Sequence, residues 1–290
     1  MTEVSAAQRA AIAAVRPELA AVAMVLHNAG WDCDAIEAGD SIFKFPKRAS
    51  ALPGLRREAR LLGLIRPQVR IAVPDMRLHE APTLFSEHVK IPGQMLETPQ
   101  YDELTDAQRH AVATKLAEFY ADIHAIPRAE AVAAGAEPDP GWAPLERIME
   151  LAETKLPPAL HDFARRVLAA YAALVPDEPI FGYFDGHGWN MAFDHARGVL
   201  NGIYDFADAG TGPRHQDLSY SSFVSPDLTE RIIDVYEPLA RVAIDRRRVA
   251  LHTAVQRLAE LGGVSRSIEW FIANVVAWHD YMQGRAELRV

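Results

Sequence analysis

Residues 179–223 read PIFGYFDGHGWNMAFDHARGVLNGIYDFADAGTGPRHQDLSYSSF. Two short apolar runs, Pro179–Phe184 and Gly198–Tyr204, each lead into an aspartate, Asp185 and Asp205. A strand that ends on a carboxylate fixes a reactive group on a rigid element. Between the runs lies a tight loop, Gly186-His187-Gly188-Trp189-Asn190, whose glycines allow backbone angles that other residues resist.

Asp185, Asn190 and Asp205 are hard oxygen donors. Such donors suit Mg²⁺, which keeps waters and substrate phosphate in its shell. A cysteine-based zinc site is excluded, because Cys33 is the only cysteine. Alternatively, Asp185 orients and deprotonates a hydroxyl while Asn190 and Asp205 hold the metal. That division suits phosphoryl transfer, which needs positioning, charge neutralisation and one base near the nucleophile. A single strand-end aspartate would more often cap a turn; the spaced set is harder to explain that way.

At these residues the segment resembles the aminoglycoside phosphotransferase and choline kinase-like family, relatives of the protein kinases. That family carries H-G-D-x-x-x-x-N and a later strand ending in I-D-[FWL]-G. The resemblance implies an α+β, two-lobed kinase-like fold. It implies a nucleoside triphosphate, ATP or GTP, with Mg²⁺, and a small-molecule hydroxyl acceptor. It makes Asp185 the catalytic aspartate and Asn190 and Asp205 the metal-holding pair. His187 and Tyr183 become candidates for loop support or acceptor contact. Asp217, in Gln216-Asp217-Leu218, matches a downstream aspartate that braces the loop. Tyr183 and Phe184 stand where the family has His and Gly, and Ala207 replaces a Gly.

Working outward, residues 34–38, Gly39-Asp40 and 41–45 read as a hairpin. Lys44 closes its second strand. The helix expected at Leu52–Ile65 has an apolar stripe of Leu55, Ala59, Leu62 and Ile65, and Glu58 falls inside it. A carboxylate on a buried face is costly unless paired. Lys44 is the natural partner, and a strand Lys bound to a helix Glu holds nucleotide phosphates in kinases. The runs Val69–Leu78 and Thr83–Ile91 read as strands completing a small antiparallel sheet. By resemblance, backbone groups near Glu87, His88 and Val89 would bind the base.

Residues 5–28 read as helix, broken near Pro17. Beyond Gln94 the chain reads as mainly helical. Thr105-Asp106-Ala107-Gln108 is a capping box, and His124 near the end of that helix reads as structural. Ala129–Pro140 reads as a Pro/Gly-bearing connection. Helices follow at 142–154, 158–174, 226–241, 246–262 and 266–287. Aromatics of the last, Phe271, Trp278 and Tyr281, fit either core or acceptor pocket. Asp208, Glu269 and Asp280 are acidic groups that could meet a cationic acceptor.

The expected division is an N-terminal lobe over 1–91 and a helical lobe over 92–290. A formal charge of −9 argues against a nucleic-acid partner. The first thirty residues are interrupted by Arg9, Arg16 and Glu18, so neither signal peptide nor membrane span is expected, and the cytoplasm is the simplest location. The acceptor is left open among aminoglycosides, macrolides, amino sugars, choline and homoserine. Two rival readings remain. One is a non-catalytic nucleotide-binding relative; the other is a metal-dependent hydrolase built from Asp185, His187, His195 and Asp205.

Overall fold

The computed structural model describes residues 3–27, 30–81 and 83–290. Its first half centres on a five-stranded sheet in the order β1-β2-β3-β5-β4, antiparallel throughout. The strands are β1 (Met24–His27), β2 (Cys33–Ala38), β3 (Ser41–Pro46), β4 (Arg77–His79) and β5 (Phe85–Val89). Period-two alternation sorts β3. Phe43 and Phe45 face a core with Ile36, Phe85 and Ile12 of helix α1 (Ala6–Val15), while Lys44 faces the other way. Helix α2 spans Leu52–Ile65, with Pro53 in its first turn. It buries Leu55, Leu61, Leu62 and Ile65, and also Glu58, which is only 2% exposed.

The second half is mainly helical. Helices α3 (Thr98–Asp102), α4 (Asp106–Ala125), α5 (Arg128–Ala134), α6 (Leu145–Lys155) and α7 (His161–Ala172) lead to two small strand pairs. Strand β6 (Ile180–Gly182) pairs with β9 (Gly210–Gly212), and β7 (Met191–Asp194) with β8 (Val199–Ile203). Helices α8 (Arg214–Ser219), α9 (Pro226–Ala240), α10 (Arg246–Ala259) and α11 (Ile268–Gln283) close the chain. The capping box of α4 forms as expected, with Thr105 and Gln108 bonding each other's backbone N–H.

The halves are stitched through the segment after β5. Gln94 exchanges two backbone hydrogen bonds of 2.8 Å with Phe193 of β7, and Asn201 donates to the Pro92 carbonyl at 2.7 Å. Gly93 is required there. Its φ is +143°, and a Cβ would come within 2.5 Å of the Ala192 backbone.

Several expectations are corrected. The helix read over 5–28 ends at Val15, and Met24–His27 is a strand. Val22 and Leu26 are four apart, a spacing that serves strand and helix alike, and pairing with β2 decides for strand. Residues 28 and 29, where that helix was expected to end, lie outside the described residues. Of the run 69–78 only its last residues enter β4; Ala72 instead bridges to Gly202. The connection at 129–140 contains α5, and β7 and β9 were not foreseen.

Candidate active site

Asp185 and Asp205 stand at two backbone positions of unusual geometry. Phe184, immediately before Asp185, has φ +57°, and Asp205 itself has φ +64°. Non-glycine residues held there carry strain of about 1–3 kcal/mol, and surrounding bonds must hold them. Asp217, fully buried, supplies those bonds for the first. Its Oδ1 accepts from Phe184 N at 2.6 Å, and its Oδ2 from Tyr183 N at 2.8 Å and His124 Nε2 at 2.9 Å. His124 is in turn 2.8 Å from the Tyr236 hydroxyl. Burial, against the pull of Asp217, pushes the His124 imidazole below its ordinary range.

The same network explains the departures from the family motif. Tyr183 is buried and its hydroxyl donates to the Tyr204 carbonyl at 2.5 Å, tying the first strand end to the residue before Asp205. Phe184 takes up a glycine-like backbone angle, and its ring packs on Gly182 and Gly212. A Cβ at either glycine would meet that ring at 2.8–2.9 Å. Two glycines elsewhere thus make room for the aromatic residue at the motif position.

Lys44 joins the lobes. Its Nζ lies 2.7 Å from Glu58 Oε1 and 2.9 Å from Asp205 Oδ1. Burial alone would lower the ammonium, but Glu58 and Asp205 outweigh it and hold Lys44 above the usual lysine range. Lys44 in turn holds Asp205 below the usual carboxylate range against its burial. Glu58 also accepts from Phe206 N at 3.2 Å. The pair expected from the buried stripe is therefore present, with Asp205 as a third member.

Around Asp185, Oδ2 accepts from Asn190 Nδ2 at 2.6 Å and Oδ1 lies 3.3 Å from His187 Nε2. Burial, then the charges of Asp208 and Asp205, push the Asp185 carboxyl well above the usual range; Asn190 and Lys44 oppose this. The His187 ring is packed against Trp189, Tyr220 and Phe223 at centroid distances of 4.6–5.1 Å. Burial, with Arg257 behind it, pushes His187 down to about 3.

Beside Asp185 opens a cavity of about 490 Å³. Among the described residues four carboxylates line it, Glu137, Asp139, Asp185 and Asp208, against one cation, Arg57; Trp142 and Tyr220 supply aromatic surface. Burial and Asp205 push the Asp208 carboxyl up. Glu137, Asp139 and Trp142 were not singled out as site residues from the sequence. The signal was there in Glu137-Pro138-Asp139-Pro140-Gly141-Trp142, acids alternating with prolines before an aromatic. Glu269 and Asp280 are exposed and do not line this cavity. Phe271 and Trp278 are core, whereas Trp270 of α11 reaches Trp189 at 6.3 Å.

At the far end of the cleft, Glu87 is paired in the sheet with Phe43 and Arg77, and its carboxylate is bound to Arg16 and His79 on the face away from Lys44. His88 and Val89 lie beyond the β4 pairing, so among the described residues their strand has a neighbour on one side only. His88 is buried, is pushed down to about 4 by burial and then by Lys44, and its Nδ1 has no partner among the described residues. The hydrolase set is not assembled: His195 bonds the Met95 carbonyl at 3.0 Å and packs on Phe193. Among the described residues, no group of three or more His, Cys, Asp or Glu is placed to hold a metal ion by itself. Nor is any described helix long and apolar enough to cross a membrane.

The phosphotransferase enzyme family model (APH) matches residues 25–252. A search of curated proteins found no match. Among solved structures, aminoglycoside 2'-phosphotransferase-IIIa in its GDP complex is similar, with 20% identity and a TM-score of 0.71 over 93% of this chain and 95% of that one. A GDP and kanamycin complex of an APH(2") enzyme gives 21% and 0.72 over 94% and 97%. The macrolide 2'-phosphotransferase of Brachybacterium faecium gives 20% and 0.64 over 90% and 96%. The chain belongs to the phosphotransferase enzyme family, with its α+β, two-lobed kinase-like fold, and is a phosphotransferase acting on an alcohol group.

Proposed function

We propose that the chain transfers the γ-phosphoryl group of ATP or GTP to a hydroxyl of a small, polyhydroxylated and cationic acceptor. The observation that carries this reading is the Lys44–Glu58–Asp205 cluster, set close to Asp185 at an acid-lined cavity. In it, Lys44, oriented by Glu58, binds phosphate oxygens. Asp185, its carboxylate fixed by Asn190, orients the acceptor hydroxyl and takes its proton. Asp217 holds the backbone just before that carboxylate, and Tyr183 ties the same strand end to the residue before Asp205. His187 supports Asp185, and backbone groups near His88 and Val89 meet the base. The cavity's unbalanced carboxylates, with Trp142 and Tyr220, favour an acceptor bearing amines.

Asn190 and Asp205 would hold Mg²⁺. The donor chemistry fits, because Asn190 commits its amide nitrogen to Asp185 and keeps a carbonyl oxygen, and Asp205 is a carboxylate. The ion supplies charge neutralisation on the phosphates when bound. The solved relatives bind GDP, ADP or ATP, and kanamycin, gentamicin or streptomycin in their complexes. A coupled nucleotide-consumption screen tests the reading, with ATP and GTP against aminoglycosides, macrolides, amino sugars and choline. Phosphorylated product from a cationic acceptor is expected. Mg·nucleotide binding with no product from any acceptor would favour a non-catalytic relative.

A further inference from the structure

Arg57 and Glu58 are neighbours on α2, yet their side chains go to different parts of the molecule. Glu58 turns to Lys44. Arg57 crosses to the helical lobe, where NH1 pairs with Glu137 and NH2 donates to the Ala207 carbonyl at 2.7 Å. Among the described residues Arg57 is the sole cation lining the acidic cavity, and its Nε is buried without a partner. The loop carrying Glu137 is held separately by β9. Thr211 N donates to Glu137 O, and Asp139 N to Thr211 O, both at 2.8 Å. Arg60, one turn further on α2, donates to the Ala134 carbonyl at 3.2 Å.

We propose that Arg57 is a positioning residue that couples the acid-lined cavity to the nucleotide cleft. This rests on the phosphoryl-transfer reading of the same site. One guanidinium holds the cavity wall at Glu137 and the backbone two residues past Asp205, and its own helix carries Glu58. A nucleotide that engages Lys44 steadies α2 through Glu58; α2 then steadies the wall through Arg57. Linkage makes the effect reciprocal, so an acceptor seated against the wall favours the nucleotide-ready helix. A guanidinium suits the task because its planar fork reaches two separate acceptors at once, which an ammonium does not do with the same geometry. The Glu137 ion pair is exposed and contributes little stability by itself; its effect lies in linking two sites.

Backbone amide hydrogen exchange tests this on the full chain, with and without Mg·ATP or Mg·GTP. In the wild type, nucleotide should slow exchange both at β3 and residues 205–207 and at the wall, residues 136–142. In Arg57→Gln the protection of β3 should persist while nucleotide-dependent protection of the wall falls about tenfold, a usual size for coupling between sites. Arg57→Lys should be intermediate. Glu137→Gln, a change on an exposed loop, breaks the same pair from its other side and should give the same loss. Wall protection that survives in Arg57→Gln and Glu137→Gln overturns the proposal, as does a wild-type wall indifferent to nucleotide. A wild-type cleft that neither nucleotide protects overturns the phosphoryl-transfer reading itself, and the coupling with it.

Discussion

The two ends of the cleft handle charge in opposite ways. At the Lys44 end, which we propose binds the nucleotide, one ammonium faces two carboxylates, Glu58 and Asp205, at 2.7 and 2.9 Å. At the cavity end, among the described residues, four carboxylates face a single guanidinium, and two of them, Asp185 and Asp208, are pushed up by burial and by their negative neighbours. The first arrangement gives each of its charged groups a partner within the chain and is largely indifferent to what the acceptor is. The second leaves attraction for a cation that the chain does not itself supply. Charge removal should therefore destabilise the first end, whereas at the second it should cost function and not stability.

The largest effect is expected where the two ends meet. Asp185→Asn removes the proton acceptor but keeps the bond geometry, and turnover should fall about 10²–10⁴-fold. Nucleotide binding, followed by calorimetry, should survive. Loss of both together would mean that Asp185 belongs to the nucleotide end, and the comparison would fail. Next in size is Lys44→Met. It leaves Glu58 buried without its partner, a situation that costs about 3–5 kcal/mol. Urea unfolding should show that loss, and nucleotide affinity should fall with it. Unchanged stability would show that the cluster is not the closed unit its distances imply.

What the sequence disclosed follows this division. Lys44 and Glu58 were legible because a carboxylate inside an apolar stripe demands a partner, and that demand is local arithmetic on α2. Asp185, Asn190 and Asp205 were legible because their spacing is fixed by one loop and one hairpin. The acceptor wall was not. Glu137 and Asp139 acquire meaning only when Thr211 of β9 and Arg57 of α2 arrive from distant parts of the chain. Strands β7 and β9 have four and three residues and are defined by their partners, not by any alternation of their own. Strand β1 was misread because a four-residue spacing serves two geometries. Phe184 was visible as a departure, but its accommodation by Gly182 and Gly212 depends on how β6 and β9 pair.

A smaller effect separates the ends by pH. The Asp208 carboxyl is pushed above the usual range, so it is still being ionised at pH values where exposed aspartates are fully charged. KM for a cationic acceptor should fall as pH rises through that raised range, and Asp208→Asn should flatten the dependence. At neutral pH the same substitution should raise that KM about tenfold, as for one close charge pair, with thermal stability retained or improved. An acceptor KM indifferent to Asp208→Asn would remove the functional half of the contrast.

The smallest effect concerns what stands behind the acceptor wall. His252 of α10 is 4% exposed, its ring edge-on to Tyr171 at 5.2 Å, and burial pushes it down to about 3. It is therefore neutral in the folded chain, whereas in the unfolded chain it takes up a proton below about pH 6.5. The unfolded state then binds more protons, so folding stability is lost as pH falls from about 6.5 towards the folded value. His252→Gln removes this one contribution. Between about pH 6 and 4 the slope of unfolding free energy against pH should become shallower by about 1.4 kcal/mol per unit. Urea titrations of both proteins across that range measure it. Equal slopes would mean that His252 takes up its proton in the folded chain as readily as in the unfolded one, despite its burial and the nearby His215 and Arg248.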